Sequence, residues 1–325
     1  MVSVIIVMRN AENYIINCIN SLVKQFDKSE PWELLIIDGL STDNSREIAT
    51  AYLQNSDINY RILDNHRKSL AAGWNIGIKE STGEYLLRPD AHAELLDNYI
   101  SNGISKLKAN NMIAAVGGTL ISRSQSKIGK LIAVVLSNPI GVGNSLFRIG
   151  VSHDAYTNSV VYAIYRKKVL EEVGGLNEEL YRNQDIDLHK RIIDKGYKLL
   201  TANNMKAIYY NRSTIKNYLI QGFTNGVWIT RGKTRHFKHI IPMLFVLSMI
   251  LICIFSIEFF PILLLIHFFT SFISYIYISH IYNPITLFHL WVLTLLLHTF
   301  YGVGSLWGIY KKTQNILICK LNLYD

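Results

Sequence analysis

The feature that most constrains this chain is a long apolar stretch near its end. Residues 240–310 contain no Lys or Arg and a single acidic residue, Glu258. A membrane-spanning helix needs about 20 apolar residues, so the stretch is long enough for three. A buried helical core is the alternative, but helices in soluble proteins alternate apolar and polar faces and these do not. The sequence therefore predicts a membrane domain at 231–325 with about three spans, approximately at 240–257, 261–281 and 286–308.

Basic residues on both sides of this stretch bear on its orientation. Four of them lie just before the first predicted span: Arg231, Lys233, Arg235 and Lys238. The positive-inside rule places that end in the cytoplasm. Lys311 and Lys312 follow the last span and prefer the same side, although three spans place them on the other. The first apolar run, Ser3–Met8, is too short for a signal peptide. We therefore expect a multi-pass membrane protein with residues 1–230 in the cytoplasm.

The net charge bears on partners. It is +9 at pH 7, and an excess of positive charge suits a domain that lies against anionic lipid headgroups. Nucleic acid is another common partner of basic proteins, but the sequence has no recognition helix or RNA-binding signature. We expect membrane lipid as a partner and no nucleic acid.

Residues 1–230 begin with an alternation of strand and helix patterns. Apolar runs predict four strands, at Ser3–Met8, Trp32–Ile37, Tyr60–Leu63 and Tyr85–Arg88. Helical patterns separate them, at about 14–25, 44–54 and 69–80. Strands this apolar, with helices between them, are typical of a mainly parallel sheet covered on both faces. We therefore predict an α/β domain over 1–230, whose ligands bind beyond the carboxyl ends of the strands.

The first acidic cluster, residues 38–43, follows the second predicted strand. Within it, Gly39 allows a tight turn, and Ser41 or Asp43 can cap the next helix. These local roles do not account for Asp38, which closes an apolar strand and needs a partner. A nucleotide base or ribose is a suitable partner, so Asp38 is a candidate nucleotide-binding residue.

Two further acidic clusters complete the candidate site. Asp90 and His92 point the same way if their segment is extended, and carboxylate plus imidazole can hold Mn²⁺ or Mg²⁺ beside a diphosphate. An Asp-x-His taken alone is more often a surface turn. Asp185 begins a helical pattern, where it can cap the helix or act as a general base. Asp187 faces another side of that helix and is expected to pair with Arg191.

Taken in order, these motifs resemble the family 2 glycosyltransferases, which have the GT-A fold. The resemblance extends over roughly residues 1–228. Within the family, the sequence is most similar to the succinoglycan-type exopolysaccharide enzymes of bacteria. The resemblance rests on the following segments: Val2–Ile6, Asn10, Asp38–Asp43, Ala72–Gly77, Gly83–Tyr85, Arg88–Ala93, Gly141–Arg148, Arg182–Asp185 and Gln221–Trp228.

The resemblance implies a reaction and a set of site residues. A sugar would move, with inversion, from a nucleotide-diphosphate donor, commonly a UDP-sugar, to a polyprenyl-linked saccharide at the bacterial inner membrane. Asp185 would be the base, and Asp90 and His92 would bind a divalent metal, Mn²⁺ or Mg²⁺. The implied donor-nucleotide residues are Asp38, Asn10, Asp43 and Asn75. The implied acceptor region consists of Asn183, Gln184, Gly143, Asn144, Gln221 and Trp228.

The sequence also departs from the family pattern. His92 stands where the metal motif has Asp, and Gln184 stands where the base motif has Glu. The segment from Gln221 to Trp228 lacks the Arg of processive enzymes, which argues against a polymerising synthase. Two alternatives remain. One is a polyprenyl-phosphate sugar transferase, whose acceptor needs no general base, and the other is a non-catalytic membrane scaffold with the same fold.

Overall fold

The computed structural model of the protein describes residues 1–26, 31–180, 182–231 and 239–321, with side chains for all of these except 231 and 314–321. Lys233, Arg235 and Lys238, the basic residues expected before the first span, lie outside the described residues. By its contacts the chain forms two compact units. The first consists of Met1–Ile121 and Gly150–Tyr210, and the second of Ser122–Ile149 and the chain from Asn211 onward. The contacts assign Ser122–Ile149 and the residues after Tyr210 to the second unit. The domain boundary predicted at residue 230 stays a prediction.

Four parallel strands form one half of the sheet in the first unit. The strands are β1 (Val2–Met8), β2 (Trp32–Asp38), β3 (Tyr60–Asp64) and β4 (Tyr85–Leu87), connected by α1 (Ile15–Val23), α2 (Ser45–Gln54) and α3 (Leu70–Glu80). They lie in the order β3-β2-β1-β4. All seven elements were predicted, with their ends within two residues of those observed. In the register of β1 and β2, Met8 lies opposite Asp38, so both strands end at the same edge.

The other half of the sheet is antiparallel. Its strands are β5 (Ala93–Leu95), β6 (Ile113–Arg123), β7 (Ala155–Thr157), β8 (Ile164–Arg166) and β9 (Lys198–Tyr210). The order continues as β4-β8-β6-β9-β5, and β7 also pairs with β9. The remaining helices up to β9 are α4 (Tyr99–Ala109), α5 (Lys127–Leu136), α6 (Pro139–Val142), α7 (Leu146–Ile149), α8 (Lys167–Glu172) and α9 (Gln184–Asp194). The α/β sheet is therefore mixed, and the predicted parallel arrangement is confined to its first half.

An apolar core lies between this sheet and helices α3 and α9. Its largest side chains are Trp74 of α3 and Tyr165 of β8, and Leu188 and Ile192 of α9 pack into the same cluster. Leu188 and Ile192 are four positions apart, which puts both on one face of the helix. This packing fixes the rotation of α9 and hence the direction in which its first residues point.

The second unit contains four further helices: α10 (Ile215–Arg231), α11 (Ile241–Phe255), α12 (Phe260–Ser279) and α13 (Pro284–Leu321). Two stretches, Ile257–Ser279 and Pro284–Thr313, are long and apolar enough to cross a membrane. Helix α11 is also apolar but has 15 residues, fewer than the roughly 20 that a bilayer core needs. Two candidate spans are thus present, and the third predicted span stays a prediction.

Helices α10 and α13 pack with their backbones in close approach. A Cβ atom on Gly226 of α10 would lie 2.9 Å from the backbone nitrogen of Ser305, and one on Gly222 would lie 3.0 Å from Leu297. On α13, Gly304 faces the backbone of Phe223 in the same way. Small residues are what allow apolar helices to approach so closely. The glycines of the segment Gln221–Trp228 therefore have a packing role.

Candidate active site

The turn after β2 is built around Asp38. One oxygen of its buried carboxylate accepts hydrogen bonds from the backbone N–H of Ser41 at 3.1 Å and from the Ser41 hydroxyl at 2.7 Å. The other oxygen is 3.3 Å from Nη1 of Arg46, which also bonds Asp64. The sequence argument required a partner for Asp38, and the structure supplies Ser41 and Arg46 from the protein itself. A carboxylate with these bonds shapes the turn whether or not it also contacts a nucleotide.

Asn10, in the loop after β1, fastens that loop to the Asp38 turn. Its backbone has a φ of 55°, a left-handed conformation that Asn tolerates better than most residues. The Asn10 N–H donates to the Ser41 hydroxyl at 3.0 Å, and its side-chain oxygen accepts from the Thr42 N–H at 2.9 Å. Asn10 and Asp38 are thus brought together at the carboxyl ends of two adjacent parallel strands.

Asp43 makes a second fastening between the same two loops. One of its oxygens accepts from the backbone N–H of Glu12 at 3.2 Å, and the other accepts from the N–H and hydroxyl of Ser45. Desolvation acts to raise the pKa of the Asp43 carboxyl, but these hydrogen bonds outweigh it and hold the pKa below its usual value. Three of the predicted donor-binding residues therefore form one clasped pair of loops.

Asn75, the fourth predicted donor-binding residue, has a different environment. Both hydrogens of its amide are donated within the protein, to the Leu176 carbonyl at 2.9 Å and to Glu178 at 2.8 Å. Its oxygen accepts from the Leu176 N–H at 2.8 Å. Asn75 thus anchors the loop after α8 to α3, and its position on a helix gave no sign of these partners.

Asp90 and His92 approach each other in a turn and not along the extended segment that the prediction assumed, because the Ala93 N–H donates to the Asp90 carbonyl at 2.9 Å. Oδ2 of Asp90 lies 3.9 Å from Nε2 of His92, and both side chains are about one-third to two-fifths exposed, at 35% and 41%. Two metal bonds of about 2.1 Å can join atoms up to about 4.2 Å apart, so one ion could bind both side chains. The rings of Tyr14 and Tyr209 lie near the imidazole, with ring centroids 6.3 and 6.0 Å away. The pair fits two ligands of a divalent metal, and further ligands would have to be oxygens from elsewhere.

Asp185 lies in the first turn of α9, which begins after Asn183, a residue with a φ of 63°. The neighbouring Gln184 is buried and donates to the Leu180 carbonyl at 2.8 Å, so its amide holds the approach to the helix. Asp185 itself is half-buried, and one of its oxygens accepts from the N–H of Ile186 at 2.9 Å. The pairing expected for the next carboxylate is confirmed, because Oδ2 of Asp187 is 2.9 Å from Nε of Arg191. Asp185 is therefore the carboxylate of this turn without an arginine partner in the described chain.

A group of polar side chains that the sequence analysis missed lies behind these carboxylates. His189, one helical turn after Asp185, is fully buried, and its Nε2 is 2.8 Å from the Tyr165 hydroxyl. Tyr165 lies opposite Leu86 in the pairing of β4 with β8. Arg88 is two residues beyond Leu86 and so shares the face of Tyr165. Its guanidinium lies over the ring of Trp74, 5.1 Å from the centroid.

The charges in this polar group are linked. Burial acts against the positive charge of Arg88, but neighbouring groups raise its pKa above the ordinary value; in decreasing order of effect they are Tyr165, Asp185 and Asp90. Burial lowers the pKa of His189 to about 4, against the opposite effect of Asp185, and raises the pKa of Tyr165 to about 12. At neutral pH, Arg88 is therefore a half-buried cation within electrostatic reach of both Asp90 and Asp185.

Three buried nitrogens of this region have no hydrogen-bond partner within the described residues. They are Nε of Arg88, Nδ2 of Asn183 and Nδ1 of His189. Buried polar atoms are normally paired. The side chains of Arg88 and Asn183 thus offer donors suited to the oxygen atoms of a ligand.

The predicted acceptor residues fall in both units. Asn183 and Gln184 belong to the first unit, while the other four belong to the second: Gly143, Asn144, Gln221 and Trp228. Gly143 ends α6 with a φ of 59° and donates its N–H to the Pro139 carbonyl at 2.8 Å. The structure does not test whether these residues bind an acceptor, and this role stays a prediction.

Comparison with known proteins identifies the family. The profile described as "Glycosyl transferase family 2" matches residues 3–174, more than half of the chain. The chain belongs to this family. The fold is also seen in a solved structure, since a crystal structure of GalNAc-T7 with UDP, GalNAc and Mn²⁺ superposes with a TM-score of 0.53 at 16% identity, covering 67% of this chain and 47% of that one. This likeness confirms the predicted GT-A fold.

Curated family 2 relatives act on lipid-linked saccharides or belong to polysaccharide synthesis. A Methanococcus voltae protein, named a dolichyl N-acetyl-alpha-D-glucosaminyl phosphate 3-beta-D-2,3-diacetamido-2,3-dideoxy-beta-D-glucuronosyltransferase, is 28% identical, with 71% of this chain and 74% of that protein aligned. The succinoglycan biosynthesis protein ExoA of Rhizobium meliloti is 30% identical, over 63% of this chain and 61% of its own length. An Escherichia coli glucosyltransferase named for UDP-Glc and a GlcNAc-diphosphoundecaprenol acceptor is 31% identical, over 41% and 51%. The predicted resemblance to succinoglycan-type enzymes is confirmed.

Proposed function

We propose that this chain transfers a sugar, with inversion, from a nucleotide-diphosphate donor, a UDP-sugar, to a lipid-linked saccharide in bacterial surface-polysaccharide or exopolysaccharide synthesis. The observation that carries the proposal is the approach of Asp90 to His92, 3.9 Å apart, together with Asp185 at the start of α9, both carboxylates acting on the half-buried Arg88. Family 2 membership and relatives named for lipid-linked acceptors support the same reaction. The enzyme would be a multi-pass protein of the bacterial inner membrane with its first unit in the cytoplasm.

Asp185 is the proposed general base. It takes the proton from an acceptor hydroxyl while that oxygen forms the bond to the anomeric carbon and the bond from that carbon to the diphosphate breaks. One carboxylate oxygen of Asp185 accepts a hydrogen bond from the Ile186 N–H, and the other accepts none from the described residues. Asn183 and Gln184, immediately before it, are proposed to border the acceptor. Arg88 lies within electrostatic reach of both Asp185 and Asp90.

Asp90 and His92 are the proposed metal ligands, and the clasped loops of Asn10, Asp38 and Asp43 are proposed to hold the nucleotide. A divalent metal, Mn²⁺ or Mg²⁺, would neutralise the charge that grows on the leaving diphosphate. Asn75 is left out of this donor site because both its amide hydrogens are bonded within the protein. Arg88, two residues before Asp90, adds positive charge on the same side.

Calorimetric titration of UDP into the full chain in detergent tests the donor site. We expect binding in the presence of Mn²⁺ that is lost in Asp90→Ala and kept in Asp97→Ala, a matched control at an exposed carboxylate. No UDP binding by the folded wild-type protein would exclude UDP as the donor nucleotide. Binding that is equally strong in Asp90→Ala would remove Asp90 from the metal site.

Asp185→Asn distinguishes the proposal from its two alternatives. A polyprenyl-phosphate transferase has an acceptor that is already ionised and needs no base, so its activity would survive this substitution. We expect the activity to be lost. A scaffold would show no sugar transfer even in the wild-type protein, whatever nucleotide-sugars and lipid-linked acceptors are supplied.

A further inference from the structure

A cavity of about 500 Å³ lies within the second unit, between α5 and the end of α12. Its lining includes Ala133 and Val134 of α5 and two cations, Arg123 and Lys130. Helix α12, one of the two candidate membrane spans, contributes its last residue, Ser279. The cavity therefore combines an apolar surface with two cations at the end of a candidate span, where lipid headgroups lie.

In the part of the second unit that the structure describes, the cations of this cavity have no carboxylate partner. Within the described residues, neither Arg123 nor Lys130 forms an ion pair. The second unit contains 13 Lys and Arg residues but only two acidic ones, Glu258 and Asp325. Glu258 lies just before α12, at the opposite end of that helix from Ser279. A bound anion would supply the charge that this unit lacks.

The wall of the cavity is fixed by a buried amide. Asn138, which precedes α6 and is fully buried, donates to the Ser279 hydroxyl at 2.9 Å and accepts from the Ser274 hydroxyl at 2.6 Å. These bonds join the end of α5 to the end of α12. Because the Ser279 oxygen accepts from Asn138, its own hydrogen is available to donate elsewhere. Three further serines line the same cavity, Ser122, Ser124 and Ser137.

We propose that this cavity binds the diphosphate of the lipid-linked acceptor. Arg123 and Lys130 neutralise the phosphate oxygens, with hydrogen bonds from the serine hydroxyls, and the first isoprene units of the lipid lie on Ala133 and Val134. This inference rests on the proposed function, since it names a binding site for the substrate of that reaction. It assigns recognition of the acceptor's lipid phosphates to the second unit and leaves the sugar-transfer chemistry to the first.

Binding of farnesyl diphosphate to the full chain in detergent tests the inference, since this probe has both a diphosphate and an isoprenoid chain. We expect R123Q/K130Q to weaken binding at least tenfold. The matched control is K311Q/K312Q, which removes two charges of the same unit from the last third of α13, neither of which lines the cavity. It should bind as the wild type does. Equal weakening in both variants, or in neither, would overturn the assignment.

Competition experiments identify the source of the phosphate. Inorganic pyrophosphate, which lacks a lipid chain, should compete at least tenfold more weakly than unlabelled farnesyl diphosphate. Phosphatidylglycerol in mixed micelles should compete weakly as well. If either competes as strongly as farnesyl diphosphate, the cavity is a general phosphate or phospholipid site and the assignment to the acceptor fails.

The outcome does not depend on whether the chain transfers sugar. Asp185→Asn should bind farnesyl diphosphate like the wild type while transferring no sugar. If binding behaves as expected but no nucleotide-sugar supports transfer, the proposed function fails and the cavity remains a lipid-diphosphate site. If transfer occurs and R123Q/K130Q binds and uses lipid-linked acceptors normally, the cavity assignment alone fails.

Discussion

The two units of this protein carry charge in opposite ways. The first unit has 20 basic and 22 acidic residues, whereas the second has 13 basic and two acidic ones. In the first unit, acidic and basic side chains form specific ion pairs, such as that of Asp38 with Arg46. In the second unit the positive charge has almost no internal counterpart. The net charge of +9 is therefore a property of the unit that holds the candidate membrane spans, and it says nothing about the chemistry of the other.

The two units also differ in how they are held together. The first unit has an apolar core into which a few polar groups are built, such as the pair of Tyr165 and His189. In the second, backbone-to-backbone contacts at Gly226 and Gly304 bring apolar helices together. Burial of apolar surface favours association of helices when that surface would otherwise contact water. Between membrane helices the alternative contact is with lipid, so this driving force is absent. The largest functional effects should thus come from single charges in the first unit.

The largest expected effect is that of Asp185→Asn. Loss of a general base should lower kcat by about 10²–10⁴-fold, with little change in folding, because among the described residues this side chain forms a hydrogen bond only with its neighbour Ile186. Initial rates with a nucleotide-sugar and a lipid-linked acceptor measure it. The matched control is Asp187→Asn, which breaks the ion pair with Arg191 and should leave kcat within a few-fold. Equal loss in both variants would mean that the start of α9, not one carboxylate, is required.

Acidification should destabilise the first unit through His189. Burial lowers its folded pKa to about 4, below the ordinary value of about 6.5. The unfolded chain therefore gains the proton first as the pH falls. The contribution of His189 is complete above about pH 6.5 and is lost towards pH 4, on the order of 3 kcal/mol in all. Denaturation followed at pH 7 and pH 5 measures this loss, and His189→Gln should make it smaller. An unchanged pH dependence in that variant would contradict the prediction.

Gly226→Leu should destabilise the second unit alone. Its side chain would meet the backbone of α13 near Tyr301 and Ser305, and overpacking typically costs about 1–3 kcal/mol. Ile220→Ala, at a 53% exposed position on the same helix, should cost much less. Thermal unfolding in detergent separates the two variants. UDP binding by folded Gly226→Leu should be unchanged, and its loss would show that the units are not independent in this respect.

The smallest expected effect is a change of metal preference in His92→Asp. Carboxylate oxygen suits Mg²⁺ better than imidazole nitrogen does, so the ratio of Mg²⁺- to Mn²⁺-supported activity should rise by about tenfold. The measurement is activity against concentration for each ion. A ratio that does not change would indicate that His92 is not a metal ligand, while Asp90→Ala reports separately on its neighbour.

Sequence reasoning succeeded where structure is local. The four parallel strands and three helices of residues 2–87 follow from apolar runs and helical periodicity, and the pair of Asp187 with Arg191 follows from a spacing of four. The polar residues Asn203 and Asn204 interrupt the apolar pattern of β9, so the sequence does not show the full length of this strand, Lys198–Tyr210. The antiparallel half of the sheet depends on pairings between distant segments, which periodicity does not report.

The same limit applies to the site. The sequence placed Asp90, His92 and Asp185 at strand and helix ends, and the convergence of Asp90 with His92 is observed. It missed Arg88, Tyr165 and His189, although Arg88 is two residues before Asp90 and His189 one helical turn after Asp185. Both spacings are visible in the sequence. That Tyr165 contacts His189 and shares a face with Arg88 is not, because this arrangement depends on the pairing of β4 with β8. The hydrogen-bond partners of Asn75, which are Leu176 and Glu178, are also far from it in the sequence.

The order of the segments along the chain has a practical consequence for making the protein in pieces. Ser122–Ile149 is inserted between the two segments of the first unit but belongs to the second. No single stop codon can therefore yield the first unit by itself. A protein ended at residue 210 or 230 would retain Ile132, Val135 and Leu136 without the partners that bury them, Tyr275 and Leu290 among them. Such a fragment should aggregate or require detergent, and a soluble enzyme would need this internal segment replaced as well as the end removed.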